Sequence, residues 1–140
     1  MYPQQKNAYV ANQVEGMSPE RLILAMYDAA LRNLARATDA LDRGDVQRKG
    51  ENLSKTLAIV TELQASLNRD AGELSEQLES LYDYVIRCLT TANVENDKAK
   101  VKEASGLIKT VRDGWAQMLE GLGSVPTVPK VPTSEAKRYV

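Results

Sequence analysis

The residue types that most often carry out catalysis are scarce in this chain. It has no histidine and a single cysteine, Cys88, in 140 residues. Without an imidazole, the sequence cannot supply a Ser-His-Asp triad, a Cys–His pair or the Glu-x-x-His ligands of a di-metal site. Gly106 and Gly114 each stand alone within a helical pattern and match no phosphate-binding loop. The sequence therefore predicts a protein that is not an enzyme and that uses no cofactor or metal.

Carboxylates are plentiful, with 19 Asp and Glu residues, and a pair of them could act as general acid and base. On a helical wheel they fall mainly on outward faces, as Asp28, Asp39, Glu79 and Asp83 do. We therefore interpret them as a solvated surface. The 18 Lys and Arg residues leave a net charge of −1, so the basic surplus of a nucleic-acid-binding protein is missing.

Cysteine usage and hydropathy indicate a location. Cys88 cannot form an internal disulfide, and its position within an apolar stripe predicts a small buried side chain. Residues 1–6 lack the apolar run of a signal peptide, and no stretch approaches about 18 uninterrupted apolar residues. These features predict a cytoplasmic protein without membrane insertion.

Four amphipathic helices are predicted to position the side chains. Large apolar residues recur three and four positions apart, which places them on one face of a helix, in residues 20–43, 53–67, 74–92 and 101–122. Trp115 and Leu122 belong to the fourth stripe. The breaks between stripes are short, so neighbouring helices should run antiparallel. The predicted fold is all-α, an up-and-down four-helix bundle.

Capping residues and prolines predict the boundaries. Ser18 should cap the first helix, Gly44 should end it, and Asp45 and Asn96 should cap the second and fourth helices. The chain thus divides into an N-terminal segment, a bundle and an extended or disordered tail, at residues 1–17, 18–122 and 123–140. Prolines three positions apart in the tail favour a polyproline-like conformation with no packed core.

Three helices carry more apolar surface than one core stripe requires. The surplus residues are Leu24, Leu31, Ile59, Leu63, Tyr82 and Ile86. Bundle helices contact two neighbours and can need wide apolar faces. A second interpretation is a groove that accepts an amphipathic segment of another protein. A third is homo-oligomerisation, for example a homodimer. Tyr9, Val10 and Val14 are apolar residues in the N-terminal segment that could cover an empty groove.

Each predicted helix contains a short sequence motif. The motifs are Ser18-Pro19 leading to Tyr27-Asp28, Glu51 to Lys55 followed by Ile59-Val60, Leu81 to Tyr84 with Asn93 and Asn96-Asp97, and Val111 to Trp115. Together they resemble the FliS family of bacterial flagellar export chaperones. They follow one another in family order and spacing over roughly residues 9–119. The prolines after Gly123 lie outside this resemblance.

The resemblance implies a chaperone that binds the disordered C-terminal segment of flagellin and prevents premature filament assembly. It also implies delivery of flagellin to the flagellar type III export apparatus, and an N-terminal segment that covers the binding groove. Together with the surplus apolar surface, this implied function leads us to predict the flagellin-binding residues Leu24, Tyr27, Leu31, Ile59, Leu63, Tyr82 and Ile86. The alternative function is a structural or signalling bundle that associates with itself through the same residues.

Overall fold

A computed structural model describes residues 16–123 and 125–133 of the chain. Within these ranges it contains helices and no strand. The helices are α1 (Pro19–Arg43), α2 (Val46–Ala65), α3 (Glu73–Glu95) and α4 (Lys98–Leu119), with a short 3-10 helix at Arg69–Ala71 between α2 and α3. The predicted all-α four-helix fold is confirmed. No helix of the described residues is long and apolar enough to cross a membrane.

Each helix packs against two others. α1 and α3 both contact α2 and α4, so α1 and α3 lie diagonally opposite each other. Near the start of α4, the Lys98 Nζ forms a salt bridge of 2.7 Å with the Oδ1 of Asp42, at the end of α1. Near the end of α4, the Trp115 Nε1 donates to the carbonyl of Glu20 at the start of α1. These contacts show that α1 and α4 run antiparallel.

The bundle core is built from the predicted stripes. Its fully buried side chains include Leu34 and Ala37 of α1, Leu53 and Val60 of α2, Leu81, Val85 and Leu89 of α3, and Val101, Ala104 and Val111 of α4. Cys88 is buried among them, as predicted. Trp115 is only half-buried and packs at the rim of the core, although its stripe predicted an inner position.

Capping residues correctly predict both ends of the first helix and the start of the second. The Ser18 side chain accepts a hydrogen bond from the Arg21 backbone N–H, and Asp45 accepts one from Arg48. Gly44 adopts φ 70° and ψ 20°, and its N–H bonds back to the last turn of α1. Glycine takes this left-handed conformation without steric cost, so α1 stops there.

The prediction that Asn96 caps α4 is wrong. Asn96 ends α3 in the left-handed conformation, at φ 54°, and the Asp97 side chain accepts from Lys100 N–H instead. Asparagine tolerates this conformation better than most residues. A buried lysine, Lys49, adds a second reason, because its Nζ donates to the Asn96 Oδ1 over 2.7 Å and to the Asn93 carbonyl over 2.8 Å.

The segment after α4 differs from its prediction. α4 ends at Leu119, and Leu122 is 75% exposed, so the fourth apolar stripe stops before Leu122. Residues 125–133 form neither helix nor strand, as the prolines indicate. However, Val128 lies in the bundle core at 7% exposure, so the expectation of no packed core is wrong for this residue. The predicted division into segments at 1–17, 18–122 and 123–140 stays a prediction.

Candidate partner-binding surface

The seven candidate binding residues fall into two groups by burial. Tyr27, Leu63 and Tyr82 are at most 2% exposed and belong to the core. The other four are half-buried: Leu24, Leu31, Ile59 and Ile86. In this conformation only the second group offers side-chain surface to a partner. The first group lies beneath that surface and fixes the helices that carry it.

Tyr27 and Tyr82 meet in the middle of the bundle. Their hydroxyl oxygens are 2.6 Å apart, and the contact joins the diagonally opposed helices α1 and α3. Burial raises the pKa of Tyr27 to about 12, although its hydrogen bond with Tyr82 opposes the rise. Burial raises the pKa of Tyr82 further, reinforced by the nearby Tyr27. Both phenols are therefore uncharged at neutral pH, and each hydroxyl oxygen has a hydrogen-bond partner within the core.

Leu24 and Leu31 lie beside an ion pair between α1 and α4. The Arg112 Nε donates to the Asp28 Oδ1 over 2.7 Å, and this hydrogen bond raises the pKa of Arg112. Leu24 precedes Asp28 by four residues and Leu31 follows it by three, so all three side chains share one helix face. We call this surface, defined by Leu24, Asp28, Leu31 and Arg112, the α1/α4 edge.

Ile86 lies at a different edge. The Gln64 Nε2 of α2 donates to the Asp83 Oδ1 of α3 over 2.7 Å, and Ile86 follows Asp83 by three residues on the same face. We call this surface, defined by Gln64, Asp83 and Ile86, the α2/α3 edge. Ile59 precedes Gln64 by five residues, which is about 140° around the helix, so it lies on another side of α2. The candidate residues thus occupy separate edges rather than one groove.

The proposed covering residues Tyr9, Val10 and Val14 lie outside the described residues. Sequence reasoning also missed a groove between α3 and α4, because it treated the proline-spaced tail as unpacked. The signal was present in the alternation of valines with prolines, since Val128 and Val131 both pack against the bundle.

Polar chemistry does not change this picture of an apolar binding surface. The described residues contain no cluster of His, Cys, Asp or Glu that could hold a metal ion. Tyr84 donates a short hydrogen bond to Glu103 Oε2, and this bond raises the pKa of Tyr84. Burial raises the pKa of Cys88, which makes its thiol a weak nucleophile. The half-buried apolar residues remain the strongest indication of function.

Comparison with known proteins identifies the family. A family model described as "Flagellar protein FliS" matches residues 1–121. The flagellar secretion chaperone FliS of Salmonella typhimurium is 40% identical over 111 residues, which cover 78% of this chain and 82% of the relative. FliS of Bacillus subtilis is 37% identical over 113 residues, 81% of this chain and 84% of the relative. This chain belongs to the FliS family.

The FliS match has two consequences. Its relatives are named as secretion chaperones of the flagellum, including FliSB of Pseudomonas aeruginosa at 34% identity over 113 residues, 80% of this chain and 90% of the relative. The family is one of chaperones rather than enzymes, and membership gives this chain the general role of a flagellar export chaperone. The match also contains all four helices and ends before the extended segment at residues 125–133.

Proposed function

We propose that this chain binds the disordered C-terminal segment of flagellin in the cytoplasm. By doing so it prevents premature polymerisation of flagellin and supports delivery of flagellin to the flagellar type III export apparatus. Membership in a family of flagellar secretion chaperones carries the proposal. The half-buried apolar residues supply the physical basis, because a chaperone of this size must bind through surface that its own core leaves partly uncovered.

The separation of those residues favours a client that wraps around the bundle. A disordered segment loses conformational entropy when it binds, and it compensates by burying a large apolar area. Leu24 and Leu31 would contact it at the α1/α4 edge, and Ile86 would contact it at the α2/α3 edge. Ile59 would contribute from another side of α2. A flexible client can reach all of these positions, whereas one straight helix fits a single groove.

The remaining candidates take other roles in this proposal. Tyr27, Leu63 and Tyr82 fix the helices from within the core. Tyr9, Val10 and Val14 of the N-terminal segment cover part of the surface in the free protein, and the client displaces them. Such a cover lowers the apparent client affinity by the fraction of molecules that it closes. Deleting residues 1–14 is therefore expected to tighten client binding.

Co-expression with flagellin tests the proposal. The chain is produced with flagellin that has or lacks its C-terminal segment, and complexes are separated by size-exclusion chromatography. We expect a one-to-one complex only when the segment is present. Ile86→Asp should weaken it by about tenfold or more, as loss of a central apolar contact does. Val94→Asp is the matched control, since Val94 lies on the same helix and is 78% exposed.

Three other results would count against this proposal. Absence of a complex with intact flagellin contradicts client binding. Equal binding by the Ile86→Asp and Val94→Asp variants contradicts the assignment of the α2/α3 edge. A homodimer that the Ile86→Asp change dissociates, together with no flagellin binding, favours self-association through the same residues. Circular dichroism on each variant separates lost binding from lost fold.

A further inference from the structure

An extended segment of this chain occupies the outer groove between α3 and α4, which we call the α3/α4 groove. Residues 125–133 contain no helix or strand. Pro126 and Val128 are buried, whereas Thr127 between them is exposed. Over these three residues the alternation matches an extended peptide that directs every second side chain into a groove. The segment therefore contacts the bundle in the way that a bound peptide contacts its receptor.

Three contacts hold the segment along the groove. Pro126 packs against Gly114 of α4, where an added Cβ would lie only 3.3 Å from the proline Cβ. Val128 lies in the hydrophobic core. Further along, the Arg87 Nη2 of α3 donates to the Pro132 carbonyl over 2.8 Å. The segment thus runs from α4 along the outside of α3, past Glu73, Glu76, Gln77 and Ser80, which line the same depression as residues 127–131.

These contacts require few features that are unique to the sequence of residues 125–133. Prolines at 126, 129 and 132 have no N–H to donate. Among the described residues, no backbone–backbone hydrogen bond joins residues 125–133 to the helices. The Nε of Arg87, on α3, is buried and has no hydrogen-bond partner among the described residues. Another extended chain with small apolar side chains and a carbonyl near Arg87 could make equivalent contacts.

The groove and its occupant differ in their relation to the family. α3 and α4, which form the walls, lie within the FliS match, whereas residues 125–133 lie beyond its end at residue 121. Gly121, at φ 73°, and Gly123 connect the two parts and are exposed. Helices within the FliS match thus form a groove that a segment outside the match covers. The glycines that connect this segment to α4 can change backbone conformation readily.

We propose that the α3/α4 groove is a binding site for an extended polypeptide, that residues 125–133 fill it within the same molecule, and that the export client displaces them with an extended apolar stretch of its own. The identity of the client rests on the proposed function. The ligand class follows from the contacts: an extended chain, compatible with proline, with small apolar residues spaced two and three apart as in Pro126, Val128 and Val131.

Acidic residues at one end of the groove refine this ligand class. Lys130 of the segment lines the same depression as Glu73 and Glu76. A neutral or basic residue at the corresponding position of a client would therefore be favoured over an acidic one. At the other end, the Arg87 guanidinium lies 5.2 Å from the centre of the Tyr84 ring, a position suited to cation–π attraction. This contact helps to hold Arg87 beside the carbonyl that it binds.

The test uses the full-length chain and a labelled peptide of residues 124–140. Val128→Asp should release the segment and leave the groove open, whereas Thr127→Asp changes an exposed neighbour and should not. Fluorescence anisotropy should show saturable binding of the peptide to the Val128→Asp chain. Binding to the wild-type and Thr127→Asp chains should be about tenfold weaker, as expected when about nine-tenths of molecules are closed.

Two results would overturn the peptide site. The first is equal or absent peptide binding to all three chains while their helical circular dichroism is retained. The second is loss of fold by Val128→Asp and also by the milder Val131→Asp, which would make the segment an integral part of the core. A peptide that itself carries Val128→Asp serves as the negative ligand and should not bind the open groove.

Competition with the flagellin C-terminal segment then tests the client. The proposal is supported if the client displaces the labelled peptide from the Val128→Asp chain. The client should also bind that chain about tenfold more tightly than it binds the wild-type chain. Client binding without displacement rejects a shared groove and leaves the proposed function intact. If the client binds none of the chains, both the proposed function and the displacement of residues 125–133 by this client are rejected. The peptide titration then still decides whether the groove binds extended chains.

Discussion

The two sides of α3 meet different surroundings. Toward α2, Ile86 is half-buried beside Asp83, whose carboxylate accepts from Gln64. Toward α4, Tyr84 bonds Glu103 and Arg87 binds the carbonyl of Pro132. The first side is bounded by helices within the FliS match, and the second is covered by a segment beyond it. One helix can therefore present a surface to a partner on one side and contact its own chain on the other.

The comparison separates two kinds of apolar surface. At the α2/α3 edge, the apolar side chain of Ile86 lies beside Gln64 and Asp83. These two polar residues hydrogen-bond to each other across the two helices. In the α3/α4 groove, Val128 belongs to the hydrophobic core and Val131 packs against it. The difference teaches that a wide apolar face in a sequence can have two origins, a binding surface or a place for another part of the same chain. Stability measurements on the two sides can distinguish them.

The largest expected effect is at Tyr82, between the two sides. Tyr82→Ala should destabilise the fold by about 3–5 kcal/mol, as removal of large buried aromatic side chains does. Tyr82→Phe should cost about 1–3 kcal/mol, because the Tyr27 hydroxyl loses its partner in the core. Urea denaturation measures both. A Tyr82→Ala variant as stable as wild type would move Tyr82 from the core to the binding surface.

The same pair predicts sensitivity to alkaline pH. Folding raises the pKa of Tyr27 from its ordinary value of 10.0 to about 12. Because the folded pKa is the higher one, the stabilising contribution is complete below pH 10 and is lost as the pH rises from 10 to about 12. At about 1.4 kcal/mol for each pH unit, Tyr27 accounts for about 3 kcal/mol.

Denaturation between pH 9 and 12 checks this expectation, with Tyr27→Phe as the control. The variant should lose stability with pH less steeply than wild type over this range. Identical pH profiles for the two proteins would show that Tyr27 ionises equally easily in the folded and unfolded states. That result would contradict its burial.

On the α4 side, Tyr84→Phe should have a smaller effect. The change removes the hydrogen bond that Tyr84 donates to the Glu103 carboxylate, which at a charged acceptor contributes about 1.5–3 kcal/mol, and less where water replaces the partner. Since Glu103 is exposed, we expect about 1 kcal/mol. Thermal melting measures the loss, and a loss as large as that of Tyr82→Ala would contradict a smaller contribution from the exposed Glu103 contact than from the buried core.

The smallest effect concerns two glycines of α4. Gly106→Ala should stabilise by about 0.5–1 kcal/mol, because alanine favours the helix and, among the described residues, no heavy atom beyond its chain neighbours and the local helix backbone lies within 4 Å of the added Cβ. Gly114→Ala should gain less, since its Cβ would lie 3.3 Å from Pro126. Paired melting curves provide the measurement. Equal gains would indicate that Pro126 does not pack closely against Gly114.

Much of the fold follows from the sequence. Spacing of apolar residues is local information, so the stripes through Leu34, Leu53, Leu81 and Val101 predict four helices and the faces that they bury. Caps are local as well, which explains why Ser18, Gly44 and Asp45 were placed correctly. Asn96 was misplaced because its role depends on Lys49, which lies 47 residues earlier and reaches it only in the folded bundle.

The candidate site was less predictable. A helical wheel gives the width of an apolar face but not the identity of the helix that covers it. For that reason Tyr82 and Ile86, one turn apart, were assigned together, although Tyr82 is buried against Tyr27 and Ile86 remains half-buried. The wheel also assigned Ile59 and the α3 residues to one groove, whereas the packing of α2 turns Ile59 away from the edge that contains Gln64.

The sequence by itself determined the four helices, their order, most of their ends and the absence of histidine chemistry, because each depends on residue type and near-neighbour spacing. Only the tertiary structure decided which apolar residues are covered. Burial of Tyr27 depends on Tyr82, 55 residues away, and the position of residues 125–133 depends on walls from α3 and α4. Such contacts form only when helices distant in sequence pack together, and local spacing carries no record of that arrangement.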